Sequence, residues 1–158
     1  MRRLAAGLVV VQLVLLAALV FEPRGSWWTL DMLALIVAAV LVSGGFVIAV
    51  WGVLGLGRAL TASHIPRAEV PLVTHGVYAL VRNPIYSGLM LGGLGLVVFG
   101  ASWWHLVTWL GLVALFAAKT RWEERMLAAA HPEFNTYAQR AGRFLPRIGR
   151  WPQSRTLA

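Results

Sequence analysis

The sequence predicts an all-α integral-membrane bundle of about four transmembrane helices, with both termini cytoplasmic and a short interfacial helix in the C-terminal tail. Three observations predict it. Of the 158 residues, 59% are hydrophobic and 13% charged, with a mean hydropathy of +0.72, which leaves too little polar surface for a soluble domain. Uncharged runs of 26 residues between Asp31 and Arg58, and of 36 between Arg82 and Lys119, must face lipid. The basic residues, finally, fall on alternate sides of those runs. Residues 1–158 are read as a single membrane domain, with no room for a separate soluble one.

The elements follow in chain order. Residues 4–21 carry no charge, follow Arg2 and Arg3, and stop at Glu22-Pro23-Arg24-Gly25; Gln12 is the polar interruption. A crossing needs about 20 apolar residues, so this reads as a first span. The rival reading, a signal peptide, wants a small-x-small cleavage site, and none sits cleanly at the end of the run. A second span covers 32–56. The 36-residue run would be about 54 Å long as one helix, at about 1.5 Å per residue, so it must bend back. Gly100-Ala101-Ser102 marks the reversal, between spans at 85–100 and 103–120. Gly88 and Gly92 form a small-xxx-small pair suited to close helix packing.

Counting Lys and Arg orients the bundle. The N-terminus has two, the 58–84 loop three (Arg58, Arg67, Arg82) and the tail from Lys119 eight, against Arg24 alone on the other side. That asymmetry places the termini and the 58–84 loop in the cytoplasm, and Trp27, Trp28, Trp103 and Trp104 at the opposite interface. A pI near 11.5 would suggest nucleic acid in a soluble protein. Here the basic residues are assigned to the membrane face, with lipids as partners and no nucleic acid. The absence of cysteine excludes disulfides, thiolate metal sites and cysteine nucleophiles. The four histidines (64, 75, 105, 131) lack HExxH or HxxxH spacing, so no metal is expected. Gly55-x-Gly57 and Gly93-x-Gly95 lack the third glycine and the strand of a dinucleotide loop.

Polar groups are costly in a membrane, so clusters of them at helix ends are the candidate sites. The first is LVTHGVYALVRNPIYSG, residues 72–88, at the cytoplasmic entry to the third span. Pro84 fits a first helical turn and Asn83 is a good N-cap; a capped helix with interfacial Tyr78 and Tyr86 is the plain structural reading. The second is KTRWEERML, residues 119–127, where the fourth span leaves the membrane. If the helix continues, Lys119 and Glu123 are four apart, and Arg121 and Glu124 three. A salt-bridged helix exit would suffice, but two adjacent carboxylates in a chain with six acids suit a cationic partner. Beyond them Phe134, Tyr137 and Arg140 recur at threes, which predicts a short interfacial helix ending near Gly142.

In this order, LVTHGVYALVRNPIYSG, RWEERML and FNTYAQRAGRFLP resemble the isoprenylcysteine carboxyl methyltransferase family of integral-membrane enzymes, related to the phospholipid methyltransferases. The family pattern is L-V-T-x-G-x-Y-x-x-x-R-H/N-P-x-Y-x-G, then E-E-x-x-L, then F-G-x-x-Y-x-x-Y and a final L-P. The likeness covers roughly residues 60–146. The first two spans match in hydropathy only.

The resemblance implies methyl transfer from S-adenosylmethionine without a Rossmann domain, the cofactor lying at the cytoplasmic ends of the last spans. It implies that Val70, Leu72, Val73 and Tyr78 line the cofactor, with His75, Gly76 and Arg82 of the same stretch. Asn83, Pro84, Ile85 and Tyr86 would hold its adenosyl or methionyl part, and Glu123 its ammonium group. Lys119, Arg121 and Glu124 are the candidate catalytic residues. Two departures stand out. Asn83 replaces the commoner His, and Lys119 replaces the Arg that holds the substrate carboxylate in prenylcysteine enzymes, keeping the charge but losing the bidentate fork; Arg121 is a candidate substitute.

A dication fits a carboxylate and tyrosine faces, and attack on a sulfonium by an anion is favoured where water is excluded. The implied partner is a lipophilic or small methyl acceptor bearing a carboxylate, thiol or amine. Rival functions are phosphatidylethanolamine-type N-methylation, an NADPH-dependent sterol-type reductase with an R-H-P-N-Y stretch, and a non-enzymatic membrane subunit. Abundant Arg, Ala and Gly with a single lysine point to a bacterial inner membrane, with the active site facing the cytoplasm.

Overall fold

The computed structural model describes residues 2–57 and 72–151. Four long helices stand where the four spans are expected: α1 (Arg2–Phe21), α2 (Met32–Leu56), α3 (Pro84–Gly100) and α4 (Trp103–Ala130). A 3₁₀ turn (Gly76–Ala79) precedes α3, and a short helix, α5 (Phe134–Arg140), follows α4. Among the described residues α2 alone is long and apolar enough to cross a membrane by itself; Ala6–Phe21 and Pro84–Gly100 are apolar over shorter lengths.

Local chemistry sets the boundaries. The Asp31 carboxylate accepts from the Ala34 N–H at 2.8 Å and the Ser102 hydroxyl accepts from the Trp104 N–H at 3.2 Å. Each occupies a donor that a helix start leaves free, an effect of about 1 kcal/mol. Pro84 opens α3, where its missing N–H removes nothing. The expected reversal falls at Ala101, a left-handed residue with φ 44° that ends α3 and lets α4 start two residues later. The α1–α2 connection is fastened to this turn, since Gly25 N–H donates to Gly100 O at 2.8 Å and Trp27 N–H to Ala101 O at 3.0 Å. Trp27 lies 4.6 Å from Trp103 and 6.3 Å from Trp28, centroid to centroid. The four tryptophans thus gather at one end of the bundle, half or more exposed apart from Trp28.

The helices run alternately up and down. Antiparallel α2 and α3 approach backbone to backbone: a Cβ on Gly45 would lie 2.5 Å from Gly88 O, and one on Gly88 2.5 Å from Gly45 O. Small residues permit such backbone approach, and the close contact gains dispersion energy. Gly88 is the crowded member of the expected small-residue pair; a Cβ on Gly92 would meet only Val42 O at 3.9 Å. Antiparallel α1 and α4 close around Leu19, Val97, Leu112 and Phe116. The outer face of α2 exposes Met32, Leu33, Phe46, Val47 and Leu54, an apolar area unsuited to water.

The fourth helix continues ten residues past 120, where the span is expected to leave the membrane, so the 119–127 cluster sits on unbroken helix, the condition on which its spacings rest. One expectation needs correction. Asn83 occupies the cap position of α3, yet its side chain makes no capping bond, because partners on α4 and the tail take it.

Candidate functional site

At the end of the bundle opposite the tryptophans, the segment before α3, the end of α4 and the tail converge. The tail is fixed by a two-residue parallel bridge between Val81 and Gly142. Arg82 N–H donates to Gly142 O at 2.8 Å, Gly142 N–H to Leu80 O at 3.0 Å, and Asn83 N–H to Arg143 O at 3.2 Å. A side chain at 142 would collide with Leu145 O, which explains the glycine after α5. The Tyr137 hydroxyl donates to Tyr78 O at 2.7 Å and the Tyr78 hydroxyl to Gly52 O at 3.1 Å, so the tail, the 3₁₀ turn and α2 form one chain of contacts. Burial pushes Tyr78 up to about 12 from an ordinary 10.0. Burial also raises Tyr137, against the pull of the nearby Arg82 cation.

The adjacent carboxylates Glu123 and Glu124 point to different surroundings, as residues one apart on a helix must. Glu124, 1% exposed, is saturated. Its Oε1 accepts from Arg82 Nε at 2.9 Å and Asn83 Nδ2 at 3.2 Å; its Oε2 accepts from Arg143 Nη2 at 2.8 Å and Nε at 3.1 Å. Arg82 spends its remaining donors on the tail, reaching Ala138 O at 2.8 Å, Ala141 O at 2.6 Å and Gly149 O at 2.9 Å. Arg82 and Glu124 therefore act together as a buried clamp on the tail.

Glu123 is different. Both its oxygens lie 3.2 Å from the Tyr86 hydroxyl, and its Oε1 lies 3.9 Å from Lys119 Nζ, beyond hydrogen-bond length. A carboxylate has about four acceptor positions, so one shared hydroxyl leaves Glu123 with capacity for another donor. Tyr86 stacks on Phe116 at 4.6 Å and has Lys119 Nζ 5.0 Å from its ring centre; the cation contact expected of a tyrosine face is made here by Lys119. The Lys119 ammonium, on a residue 2% exposed, donates to Gln12 Oε1 of α1 at 2.9 Å.

The structure thus brings Tyr86, Lys119 and Glu123 together, and Arg82, Asn83 and Glu124 beside them. Arg121 is exposed and directed to Ala117 O of its own helix at 3.4 Å, away from both groups. Pro84 is buried and Ile85 half-buried, both against Gly52 of α2. Val73 packs on Val77, Tyr78 and Val81; Leu72 is half-buried, and His75 and Gly76 are exposed. Val70 lies outside the described residues. Sequence reasoning missed Gln12 and Arg143. For Gln12 the signal was present, a polar side chain inside an otherwise apolar run.

Among the described residues the chain is helical, and its polar side chains converge on two carboxylates at one end of an apolar bundle. Comparison sharpens this. The family model for phospholipid methyltransferase matches residues 33–133, and the chain belongs to that family. A probable protein-S-isoprenylcysteine O-methyltransferase of Oryza sativa subsp. japonica is 31% identical over 137 residues, 83% of this chain and 69% of the relative. The cobalt-zinc-cadmium resistance protein CzcN of Cupriavidus metallidurans is 41% identical over 98 residues, 59% of this chain and 44% of the relative. The nickel-cobalt-cadmium resistance protein NccN of Alcaligenes xylosoxydans xylosoxydans is 33% identical over 99 residues, 59% and 45% respectively. The chain spans less than half the length of these two resistance proteins.

Proposed function

We propose that this protein is a membrane-embedded methyltransferase that uses S-adenosylmethionine, and that its acceptor is a lipophilic or small molecule presenting a carboxylate, thiol or amine. The observation that carries the reading is Glu123: a mostly enclosed carboxylate with spare acceptor capacity, beside Tyr86 and in the position where the family likeness wants an ammonium partner. Bound there, the cofactor supplies a methyl group on a sulfonium. Glu123 would take the methionyl ammonium, and the chain from Leu72 to Tyr86 would line the rest. Lys119 lends a positive charge suited to an anionic acceptor. The fit rests on the donor set, since Glu123 is the carboxylate of the pair that the protein leaves undersatisfied.

In this reading the four long helices cross a bacterial inner membrane, with the Glu123 end cytoplasmic and the tryptophans at the far interface. A hydrophobic acceptor then enters from the bilayer and the polar cofactor from the cytosol. Ethanolamine phospholipid N-methylation is a second reading, favoured by the family model that matches residues 33–133.

The test is calorimetric titration of the detergent-purified protein with S-adenosylmethionine and S-adenosylhomocysteine, with NADPH as control. Binding of the first pair, weakened at least about tenfold in Glu123→Gln, is expected, since a hydrogen bond to a charged group is worth about 1.5–3 kcal/mol. NADPH binding alone, or wild-type affinity in Glu123→Gln, would overturn the reading. Labelled-methyl transfer to prenylcysteines, ethanolamine lipids and small thiols then separates the acceptors.

A further inference from the structure

The first helix carries no residue of the family likeness, yet it reaches the site through Gln12. The Lys119 ammonium has two oxygen neighbours of different character: Gln12 Oε1 at 2.9 Å and Glu123 Oε1 at 3.9 Å. The neutral amide holds the hydrogen bond, and the carboxylate, four residues along the same helix, does not. On charge alone the order should be reversed, because a lysine and a glutamate at this spacing attract each other and the attraction grows where water is scarce. Lys119 is 2% exposed, so its ammonium is placed by protein neighbours rather than by bulk solvent. Gln12 is the one side chain that hydrogen-bonds its ammonium among the described residues.

We infer that Gln12 is a positioning residue: it holds the Lys119 ammonium off Glu123 and so keeps that carboxylate available to the ammonium of the cofactor. The inference rests on the cofactor reading above and adds α1 to the site. Without an amide at position 12, Lys119 closes the remaining distance to Glu123, and a bound cation must then break a hydrogen-bonded ion pair in place of the loose 3.9 Å contact.

The experiment measures S-adenosylhomocysteine affinity by calorimetry in wild type, Gln12→Leu, Lys119→Met and the double variant. Gln12→Leu should bind about tenfold more weakly than wild type, the equivalent of one ordinary hydrogen bond. Lys119→Met in the same chain should restore most of that loss, which a merely structural role for Gln12 would not do. In the Lys119→Met background, Gln12→Leu should be silent within about twofold; this comparison survives even if the single leucine variant fails to fold. Wild-type affinity in Gln12→Leu, or a further loss on adding it to Lys119→Met, would overturn the inference. Failure of the wild-type protein to bind would overturn the cofactor reading instead, so the two are told apart.

Discussion

Glu123 and Glu124 are neighbours in sequence and opposites in circumstance. Glu124 meets two guanidinium groups and an amide, with every close donor at 2.8–3.2 Å. Glu123 has a single hydroxyl at 3.2 Å and a cation in loose ion-pair contact at 3.9 Å, with no hydrogen bond between them. A buried charge that is fully paired belongs to the architecture; one left with spare acceptors is available to a ligand. The lesson is that the number of partners, rather than burial or charge, separates the structural carboxylate from the candidate binding one.

The comparison breaks most visibly at Glu124. Glu124→Ala strips the partner from Arg82 and Arg143 together, and removing one member of a buried pair costs about 3–5 kcal/mol. Thermal unfolding in detergent should therefore show a marked loss of stability or of folded yield. A wild-type midpoint would mean that the clamp is not what holds the tail. Glu123→Gln should do the reverse, keeping the unfolding midpoint within a few degrees while cofactor affinity falls by about tenfold or more, about 1.4 kcal/mol.

Smaller changes sharpen the contrast. Arg143→Lys keeps the charge but loses the paired nitrogens on Glu124 Oε2, and with Arg82 still present the loss should be about 1–2 kcal/mol of stability. Cofactor affinity should not change with it; a parallel loss would place Arg143 at the binding site. A last effect, confined to alkaline solution, concerns pH. Tyr78 titrates near 12 in the folded chain against 10.0 otherwise, so between those values the unfolded chain has lost the proton that the folded one keeps. This contribution to stability is complete below pH 10 and declines as pH rises toward 12. Unfolding midpoints measured across that window should fall, and Tyr78→Phe should flatten part of the slope.

Much of this was legible beforehand because it depends on neighbours in the chain. The apolar runs place α1, α2 and α3 within two residues of their ends, and the length of the 36-residue run forces a reversal that Gly100-Ala101-Ser102 locates. Glu123 and Lys119 were readable as a pair from helical spacing. What escaped was set by distant partners. Asn83 is an N-cap by local rules, but Glu124, 41 residues on, and Arg143, 60 residues on, take its amide. Arg121 looked as well placed as Lys119, yet two residues of helical rotation turn it outward. Nothing near Gln12 in sequence points to Lys119, 107 residues away.

The clamp on the tail also dictates an order of assembly. Arg82 leaves the ribosome 56 to 67 residues ahead of the carbonyls that receive it. Until those residues follow, its guanidinium waits at the mouth of α3 without them, and the loop from Val81 to Asn83 has no partner strand. A chain halted before Ala138 would hold every candidate cofactor residue, from Val70 to Glu123, and still have no finished site. The closing of this end of the bundle therefore waits on the segment that follows α4.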